Sequence, residues 1–270
     1  MMKNYRLYGN APYTAAVIHG GPGALGSVAA IARRLTHMGF GVIEPLQTRN
    51  SISQLVDELH ETLSENGGEQ TTLIGHSWGA WLTWLYAAAY PSNVKKLILV
   101  GSGPFEAAFV PSIDATRKSR LSVEQAAEMD AIFAALNNPD TLEKDTWIKR
   151  FSLLPNTDDF APVIIETDIE DSIENDGTAI GNILPEAAHM RATGELLDLS
   201  KHILCPVIAV HGDYDPHPAE GVQLPLSKKL NNFRFYLLSH CGHSPWKERY
   251  AMDEFYEIIA NELLEKAYKD

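Results

Sequence analysis

The chain of 270 residues is 45% hydrophobic and carries a formal net charge of −13, which disfavours a nucleic-acid partner because such partners need clustered lysine and arginine. Its two cysteines are too few for a disulfide framework and favour a reducing, cytoplasmic compartment. The N-terminus enters no apolar signal segment and no stretch approaches transmembrane length, so we expect neither secretion nor a membrane partner.

Short apolar runs rich in β-branched residues predict strands that are covered on both faces, as in a parallel sheet. In chain order they are Ala15–Ile18, Gly41–Glu44, Thr71–Ile74, Lys96–Val100, Pro206–Val210 and Phe233–Leu238. Helix-like patterns alternate with them over Leu25–Met38, Ile52–Glu65, Ala80–Tyr90, Glu220–Leu230 and Trp246–Tyr268. The alternation predicts an α/β fold, a mostly parallel, doubly wound sheet with helices on both faces.

The segment 104–200 breaks this alternation. It holds 19 acidic and 7 basic residues, so most of the net charge lies there, and it shows no strand repeat. Helix-like stretches at Ser122–Leu136 and Leu142–Phe151 predict a helical insertion. We therefore expect a sheet domain, residues 1–103 and 201–270, and an acidic, mainly helical cap, residues 104–200. The cap would lie over the carboxyl edge of the sheet, where open α/β sheets bind ligands.

The pentapeptide Gly75-His76-Ser77-Trp78-Gly79 follows a predicted strand and precedes a predicted helix. A G-x-S-x-G sequence in that setting places a serine on a strained turn, with its hydroxyl at the top of the sheet. The two glycines avoid Cβ atoms that would collide where strand and helix meet. Ser77 is therefore the candidate nucleophile, although an ordinary strand–helix turn also fits the pentapeptide taken alone.

A serine hydroxyl needs a general base, and the base needs an orienting acid. His243 is the candidate base because it lies in the loop after the last predicted strand. The candidate acid follows the strand that ends at Val210. Asp215 is favoured over Asp213, since a residue farther from the strand end can turn towards His243 while Asp213 braces the turn. We call Ser77, Asp215 and His243 the candidate triad.

A tetrahedral oxyanion needs backbone N–H donors aimed at it. The amide of Trp78, directly after Ser77, is the first candidate. The glycine-rich turn His19–Gly23 follows the first long strand, and its backbone can approach a ligand closely. We expect the second donor to come from this turn.

Together these segments resemble the α/β-hydrolases, and within them the proline iminopeptidase-type branch. The resemblance rests on His19-Gly20-Gly21-Pro22-Gly23, the Gly-x-Ser-Trp-Gly elbow, His211-Gly-x-Tyr-Asp215 and Gly242-His243-Ser244, and it spans residues 12–103 and 201–268. It implies the α/β-hydrolase fold, whose chain order of Ser, acid and His the candidate triad follows. It also implies that the amides of Gly21 and Trp78 form the oxyanion hole.

The chain departs from that branch in three places. Little sequence precedes Ala15, so the leading antiparallel strands are short or missing. His76 stands at an elbow position that is usually glycine in those peptidases. The cap lacks the Glu-Asn-His-Tyr-Phe-like stretch that is associated with binding the free amine of a substrate. Glu186–His189 resembles that stretch only weakly. Hydrolase chemistry is therefore expected, and peptidase specificity stays open.

Two rival patterns explain less of the sequence. The run Gly21–Gly26 satisfies the pattern G-x-G-x-x-G, and Glu44 ends the next predicted strand, as a dinucleotide-binding site requires. That interpretation leaves the candidate triad unexplained. An H-x-D-x-D-x-H string invites a metal interpretation, yet alternating side chains on a loop need not converge. The string comprises His211, Asp213, Asp215 and His217. We expect neither a metal nor an organic cofactor.

The predicted activity is hydrolysis of an ester, amide or related acyl bond of a small molecule, with an aminopeptidase as one form. A carboxylesterase or lactonase and a non-catalytic ligand-binding protein are the alternatives. A dense acidic patch in the cap fits either a solvated face or the attraction of an amine-bearing substrate. The patch comprises Glu166, Asp168, Glu170, Asp171, Glu174 and Asp176.

Overall fold

A computed structural model of the protein describes residues 4–138, 141, 144–163, 171, 173 and 178–264. Its strands are β1 (Tyr5–Tyr8), β2 (Tyr13–Ile18), β3 (Gly41–Pro45), β4 (Gly67–His76), β5 (Val94–Val100), β6 (Val207–Gly212) and β7 (Phe233–Leu238). Within these residues they form one sheet in the order β1-β3-β2-β4-β5-β6-β7. β1 pairs antiparallel with β3, and the other neighbouring pairs are parallel.

Helices cover both faces of this sheet. In the described residues they are α1 (Ala29–His37), α2 (Ile52–Asn66), α3 (Trp78–Ala89), α4 (Val110–Ser119), α5 (Val123–Asn137), α6 (Lys144–Ser152), α7 (Thr178–Thr193), α8 (Glu195–Asp198), α9 (Glu220–Lys229) and α10 (Met252–Leu264). Ile31 of α1 and Phe255 of α10 belong to one buried cluster, whereas Leu55 of α2, Trp84 of α3 and Leu226 of α9 belong to the other. This arrangement confirms the predicted fold class.

The connection between β5 and β6 carries α4 to α8, so helices occupy the place where the sequence predicts a cap. The helices predicted at Ser122–Leu136 and Leu142–Phe151 correspond to α5 and α6. The sequence pattern did not predict α4 or α7. Helix α7 contains Gly181 and Pro185, which mask a helical pattern in sequence because both residues disfavour helix interiors. No helix of the described residues has the length and apolar character that a membrane crossing requires.

The N-terminal region retains one antiparallel strand of the kind expected to be short or missing. β1 has four residues and pairs with β3 from Tyr5 opposite Pro45 to Tyr8 opposite Val42. Its position at the sheet edge explains why its burial is only partial. Helix α1 begins at Ala29 rather than Leu25, because a turn with positive φ at Gly26 precedes it.

A buried ionic network joins α10 to the sheet. Lys96 Nζ of β5 lies 2.8 Å from Glu262 Oε2, and the two side chains are 5% and 2% exposed. The same carboxylate accepts a hydrogen bond of 2.6 Å from Arg234 and one of 3.2 Å from the Tyr236 hydroxyl, both on β7. Glu262 therefore fixes the last helix against two strands.

We expect Glu262→Gln to lower the free energy of unfolding by about 3 kcal/mol, because it removes the negative charge that faces the buried Lys96 ammonium at 2.8 Å. Glu257→Gln is the matched control, since Glu257 lies on the exposed side of the same helix, and it should change stability by less than about 0.5 kcal/mol. Urea unfolding followed by circular dichroism measures both. Equal stability of the two variants would contradict the role of this network.

Candidate active site

Ser77 occupies a sharp turn between β4, which ends at His76, and α3, which begins at Trp78. Its backbone has φ 55° and ψ −119°. This conformation is energetically unfavourable for any residue other than glycine. A Cβ on Gly75 would lie 2.3 Å from the Gly79 carbonyl oxygen, and one on Gly79 would lie 2.4 Å from that of Ile18. The two glycines are thus required by close backbone contact, and the turn presents Ser77 at the carboxyl edge of the sheet.

The loops after β6 and β7 bring Asp215 and His243 together at the same edge. His243 Nδ1 lies 2.8 Å from Asp215 Oδ2, and the Asp215 side chain is fully buried. Asp213 instead accepts a hydrogen bond of 3.2 Å from the backbone amide of Cys241, so it links the two loops. Among the described residues no hydrogen bond engages the Ser77 hydroxyl, and its link to His243 stays a prediction.

A second imidazole shares the carboxylate of Asp215. His217 Nδ1 lies 2.8 Å from Asp215 Oδ1, and the His217 amide donates to the same oxygen at 2.9 Å. The rings of His217 and His243 stack with centroids 4.6 Å apart. His211 Nε2 lies 3.5 Å from Asp215 Oδ2 and 2.7 Å from the His217 carbonyl oxygen. The sequence offered His217 only as part of the metal-like string.

The two imidazoles on Asp215 differ in proton affinity. For His243, burial opposes the charged form, but the charge of Asp215, its hydrogen bond and the charges of Asp158 and Asp159 outweigh burial and raise the pKa. For His217, burial prevails over Asp215 and lowers the pKa. Burial opposes ionisation of Asp215 too, yet the surrounding histidines hold its pKa well below the ordinary value. A proton that reaches this cluster therefore resides on His243 in preference to His217.

The metal-like string converges only in part. Asp215, His217 and His243 offer ligand atoms that all lie within 4.8 Å of one another. Asp213 is directed to the Cys241 amide. Because each carboxylate oxygen of Asp215 already faces an imidazole nitrogen at 2.8 Å, hydrogen bonding accounts for this cluster. The expectation of no metal stays a prediction.

His76, the unexpected residue of the elbow, supports the loop that carries His243. Its Nε2 donates a hydrogen bond of 3.0 Å to the His243 carbonyl oxygen. Its ring also packs edge-on against Trp246 at 4.6 Å between centroids. Burial and the neighbouring His243 hold the pKa of His76 well below its ordinary value, so the ring is neutral. We assign His76 a positioning contact.

The candidate oxyanion donors lie beside Ser77. Trp78 is the first residue of α3, and an amide in the first helical turn has no partner within the helix. Gly21 lies in the turn after β2 with φ 27° and lines the same cavity as Ser77. Gln47 Oε1 accepts from the Trp78 indole at 2.8 Å, and Gln47 Nε2 donates to the His19 carbonyl oxygen at 3.0 Å. Gln47 thus holds the two halves of the candidate oxyanion site in register.

Glu248 holds the histidine loop against the cap. Its Oε1 accepts from the amides of Gly242 at 2.8 Å and Phe160 at 2.6 Å, and its Oε2 accepts from the amide of Ala161 at 2.7 Å. The His243 amide donates to the Asp158 carbonyl oxygen at 2.9 Å. Sequence reasoning missed Glu248 because its partners are backbone amides that no local pattern identifies.

A cavity of about 310 Å³ opens above the elbow. Its described lining comprises Gly21, Ser77, Trp78, Trp81, Gly103, Pro104, Ile113, Leu184, Ala188, Arg191 and His217. None of these residues is acidic. Of the acidic patch predicted in the cap, Asp171 is described and pairs with Arg6 and Arg33, and the others lie outside the described residues. Glu186 is engaged as acceptor of the Ile52 amide at 3.2 Å.

The rival dinucleotide interpretation depends on a free carboxylate at Glu44. In the structure Glu44 Oε2 accepts a hydrogen bond of 2.6 Å from the Tyr8 hydroxyl and lies 3.5 Å from Arg6. Glu44 is fully buried, so its carboxylate serves the packing of β1 on β3.

A mostly parallel sheet, a serine at a strand–helix turn and helices inserted between β5 and β6 are the features of an α/β-hydrolase. The family model of the alpha/beta hydrolase fold matches residues 17–250, and the chain belongs to this family.

Curated relatives match only short segments. Human epoxide hydrolase 4 is 34% identical over 64 residues, which are 23% of this chain and 18% of that protein. Cis-3-alkyl-4-alkyloxetan-2-one decarboxylase of Shewanella oneidensis is 32% identical over 73 residues, which are 26% of this chain and 23% of that protein. The chain therefore spans less than a quarter of the length of these relatives.

Solved structures match over nearly the whole chain. The structure of VinJ is 20% identical with a TM-score of 0.71, covering 96% of this chain and 93% of that one. Proline iminopeptidase of Mycobacterium smegmatis is 21% identical with a TM-score of 0.63 and the same coverage. Identities this low show the shared fold, and the iminopeptidase branch is one among several neighbours.

We expect the pKa of His243 to lie above the ordinary value of a histidine, because Asp215 favours the charged form of the imidazole. Asp215→Asn should lower that pKa, since only the more distant charges of Asp158 and Asp159 then oppose the effect of burial. Asp213→Asn is the matched control and should leave it in place, because Asp213 contacts the Cys241 amide instead. NMR titration of the histidine ring carbons measures the pKa, and a pKa below the ordinary value of a histidine in the unaltered protein would refute this electrostatic account.

Proposed function

We propose that this protein is a serine hydrolase that cleaves the ester, amide or related acyl bond of a small molecule. The observation that carries the proposal is the 2.8 Å contact between His243 and buried Asp215, at the sheet edge where Ser77 stands on a strained turn. A base oriented by a carboxylate, at the same sheet edge as a serine hydroxyl, is the arrangement that nucleophilic acyl transfer requires.

In the proposed mechanism, His243 removes the proton from Ser77 as the serine oxygen attacks the substrate carbonyl carbon. The amides of Gly21 and Trp78 donate hydrogen bonds to the oxyanion that forms. Asp215 accepts a hydrogen bond from the Nδ1–H of His243 and stabilises the imidazolium, which then protonates the leaving group. Water repeats the sequence on the acyl-enzyme and releases the acid. These steps use no metal and no organic cofactor.

Of the two imidazoles on Asp215, we assign the base to His243. A general base must gain a proton during the reaction, and the raised pKa of His243 favours that gain. The lowered pKa of His217 keeps that ring neutral, as a stacked neighbour that accepts no charge.

Within this class, we favour an ester or related acyl substrate over an aminoacyl amide. An amine-bearing substrate needs an acidic partner near the reacting carbonyl, and the described lining of the cavity offers Arg191 instead. A cytoplasmic location remains part of the proposal, in keeping with two cysteines that form no disulfide.

Ser77→Ala should reduce hydrolysis of short p-nitrophenyl esters by about a thousandfold or more, because it removes the nucleophile. It should also abolish covalent labelling by a fluorophosphonate probe. Ser53→Ala, at an exposed serine of α2, is the control and should behave like the unaltered protein. Full labelling of Ser77→Ala would reject this nucleophile, and ligand binding without turnover in the unaltered protein would favour the non-catalytic alternative.

His243→Gln and His217→Gln distinguish the two imidazoles. We expect His243→Gln to lower kcat by about a thousandfold, whereas His217→Gln should cost about tenfold or less because the base remains. The pH dependence of kcat/KM for His217→Gln should keep its acid limb, since that limb reports His243. A larger loss in His217→Gln than in His243→Gln would reverse the assignment.

A further inference from the structure

The cap contributes one face of α7 to the cavity beside Ser77. Leu184, Ala188 and Arg191 line the cavity together, and their spacings of four and three residues place them on one side of the helix. Leu184 is 44% exposed, in keeping with a side chain that borders an open cavity. The cap therefore supplies two apolar side chains and one guanidinium to the space above the elbow.

The guanidinium of Arg191 has no carboxylate and no hydrogen-bond acceptor among the described residues, and its Nε is shielded from solvent. The ring of Trp81 lies against it, with Arg191 Cζ 5.2 Å from the ring centroid. Trp81 is itself fixed by a hydrogen bond of 3.1 Å from its indole nitrogen to the Gly103 carbonyl oxygen. A cation–π contact at this distance attracts the guanidinium to the ring and uses none of its N–H donors.

Other arginines of the cap have partners. Arg117 makes two hydrogen bonds of 2.8 and 2.7 Å to Asp158, and Arg150 makes two of 2.7 and 2.6 Å to Glu128. Burial works against the charge of Arg117, but Asp158 raises its pKa, whereas for Arg191 burial lowers the pKa with no opposing carboxylate. In a chain of net charge −13, Arg191 thus has no acidic partner in the part of the chain that the structure describes, and it forms a cationic position in the cavity.

We propose that Arg191 binds a carboxylate of the substrate, so that the preferred substrates are acyl compounds with a second, anionic end. A guanidinium presents paired donors that match the two oxygens of a carboxylate. One guanidinium in a cavity whose other cap residues are apolar matches a ligand group with one negative charge. A phosphate dianion would need further hydrogen-bond donors. An ammonium group would be repelled. The reaction at Ser77 rests on the proposed function, whereas binding of a carboxylate at Arg191 requires no reaction and can be measured by itself.

The kinetic test uses p-nitrophenyl esters with acyl chains of matched length. The monoadipate ends in a carboxylate, the hexanoate in a methyl group and the ω-aminohexanoate in an ammonium. We expect the unaltered enzyme to favour the monoadipate over the ω-aminohexanoate at least about tenfold in kcat/KM. Arg191→Met should lower the ratio of kcat/KM for monoadipate to that for hexanoate by about tenfold or more.

Two further variants complete the kinetic test. Arg191→Lys keeps the charge but loses the planar fork, so it should lower the same ratio by a smaller factor and replaces Arg191→Met if that variant does not fold. Arg150→Met removes a paired cap arginine away from the cavity and should leave the ratio unchanged. If Arg191 had only a structural role, its variants would lower kcat/KM for the monoadipate and for the hexanoate by the same factor. An unchanged ratio of these two values in the Arg191 variants would overturn the proposal.

A binding measurement separates this proposal from the proposed function. Calorimetric titration of Ser77→Ala with monomethyl adipate and dimethyl adipate requires no turnover. We expect the monoester to bind at least about tenfold more tightly, and Arg191→Met in the same background to remove that difference. Equal binding of the two compounds would overturn the carboxylate site. Arg191-dependent binding without ester hydrolysis would reject the proposed function alone, and hydrolysis without an Arg191-dependent ratio would reject the carboxylate site alone.

Discussion

The site depends on one backbone constraint, the positive φ of Ser77 between β4 and α3. A residue held in that conformation costs about 1–3 kcal/mol, which the surrounding structure must supply. The Ser77 amide donates to the Val100 carbonyl oxygen at 2.9 Å, and β4 is paired on both sides by β2 and β5. The central position of β4 in the sheet therefore holds the strain, and an edge strand could not do so as firmly.

The same constraint determines what lies around Ser77. A helix that begins directly after the turn directs its first amides at the space above Ser77, and Gln47 links that helix end to the turn after β2. On the other side, His76 joins the elbow to the loop of His243 by one hydrogen bond of 3.0 Å. The elbow thus contacts both the candidate oxyanion donors and the candidate base through side chains adjacent to Ser77 in sequence.

Much of this could be predicted from the sequence because it depends on local patterns. Parallel strands appear as apolar runs, and the order of the candidate triad follows from loops at their carboxyl ends. The remaining features depend on contacts between distant segments. Gly181 and Pro185 disguise the helical pattern of α7 in the sequence. Unless that helix is predicted, the position of Arg191 in the cavity cannot be predicted either. Glu248 and His217 become significant only when the cap and the loops after β6 and β7 meet.

The charge of the chain acts differently at long and at short range. A net charge of −13 repels an anionic substrate at a distance, but salt screens such repulsion over about 8 Å at physiological ionic strength. In the proposed site Arg191 contacts the substrate carboxylate directly, so that this short-range attraction outweighs the screened repulsion. Asp171, an acidic residue of the cap, is meanwhile occupied by Arg6 and Arg33 of the sheet domain. Asp171 is therefore not available to a substrate, and in the proposed carboxylate site the selectivity for charge depends on the guanidinium of Arg191.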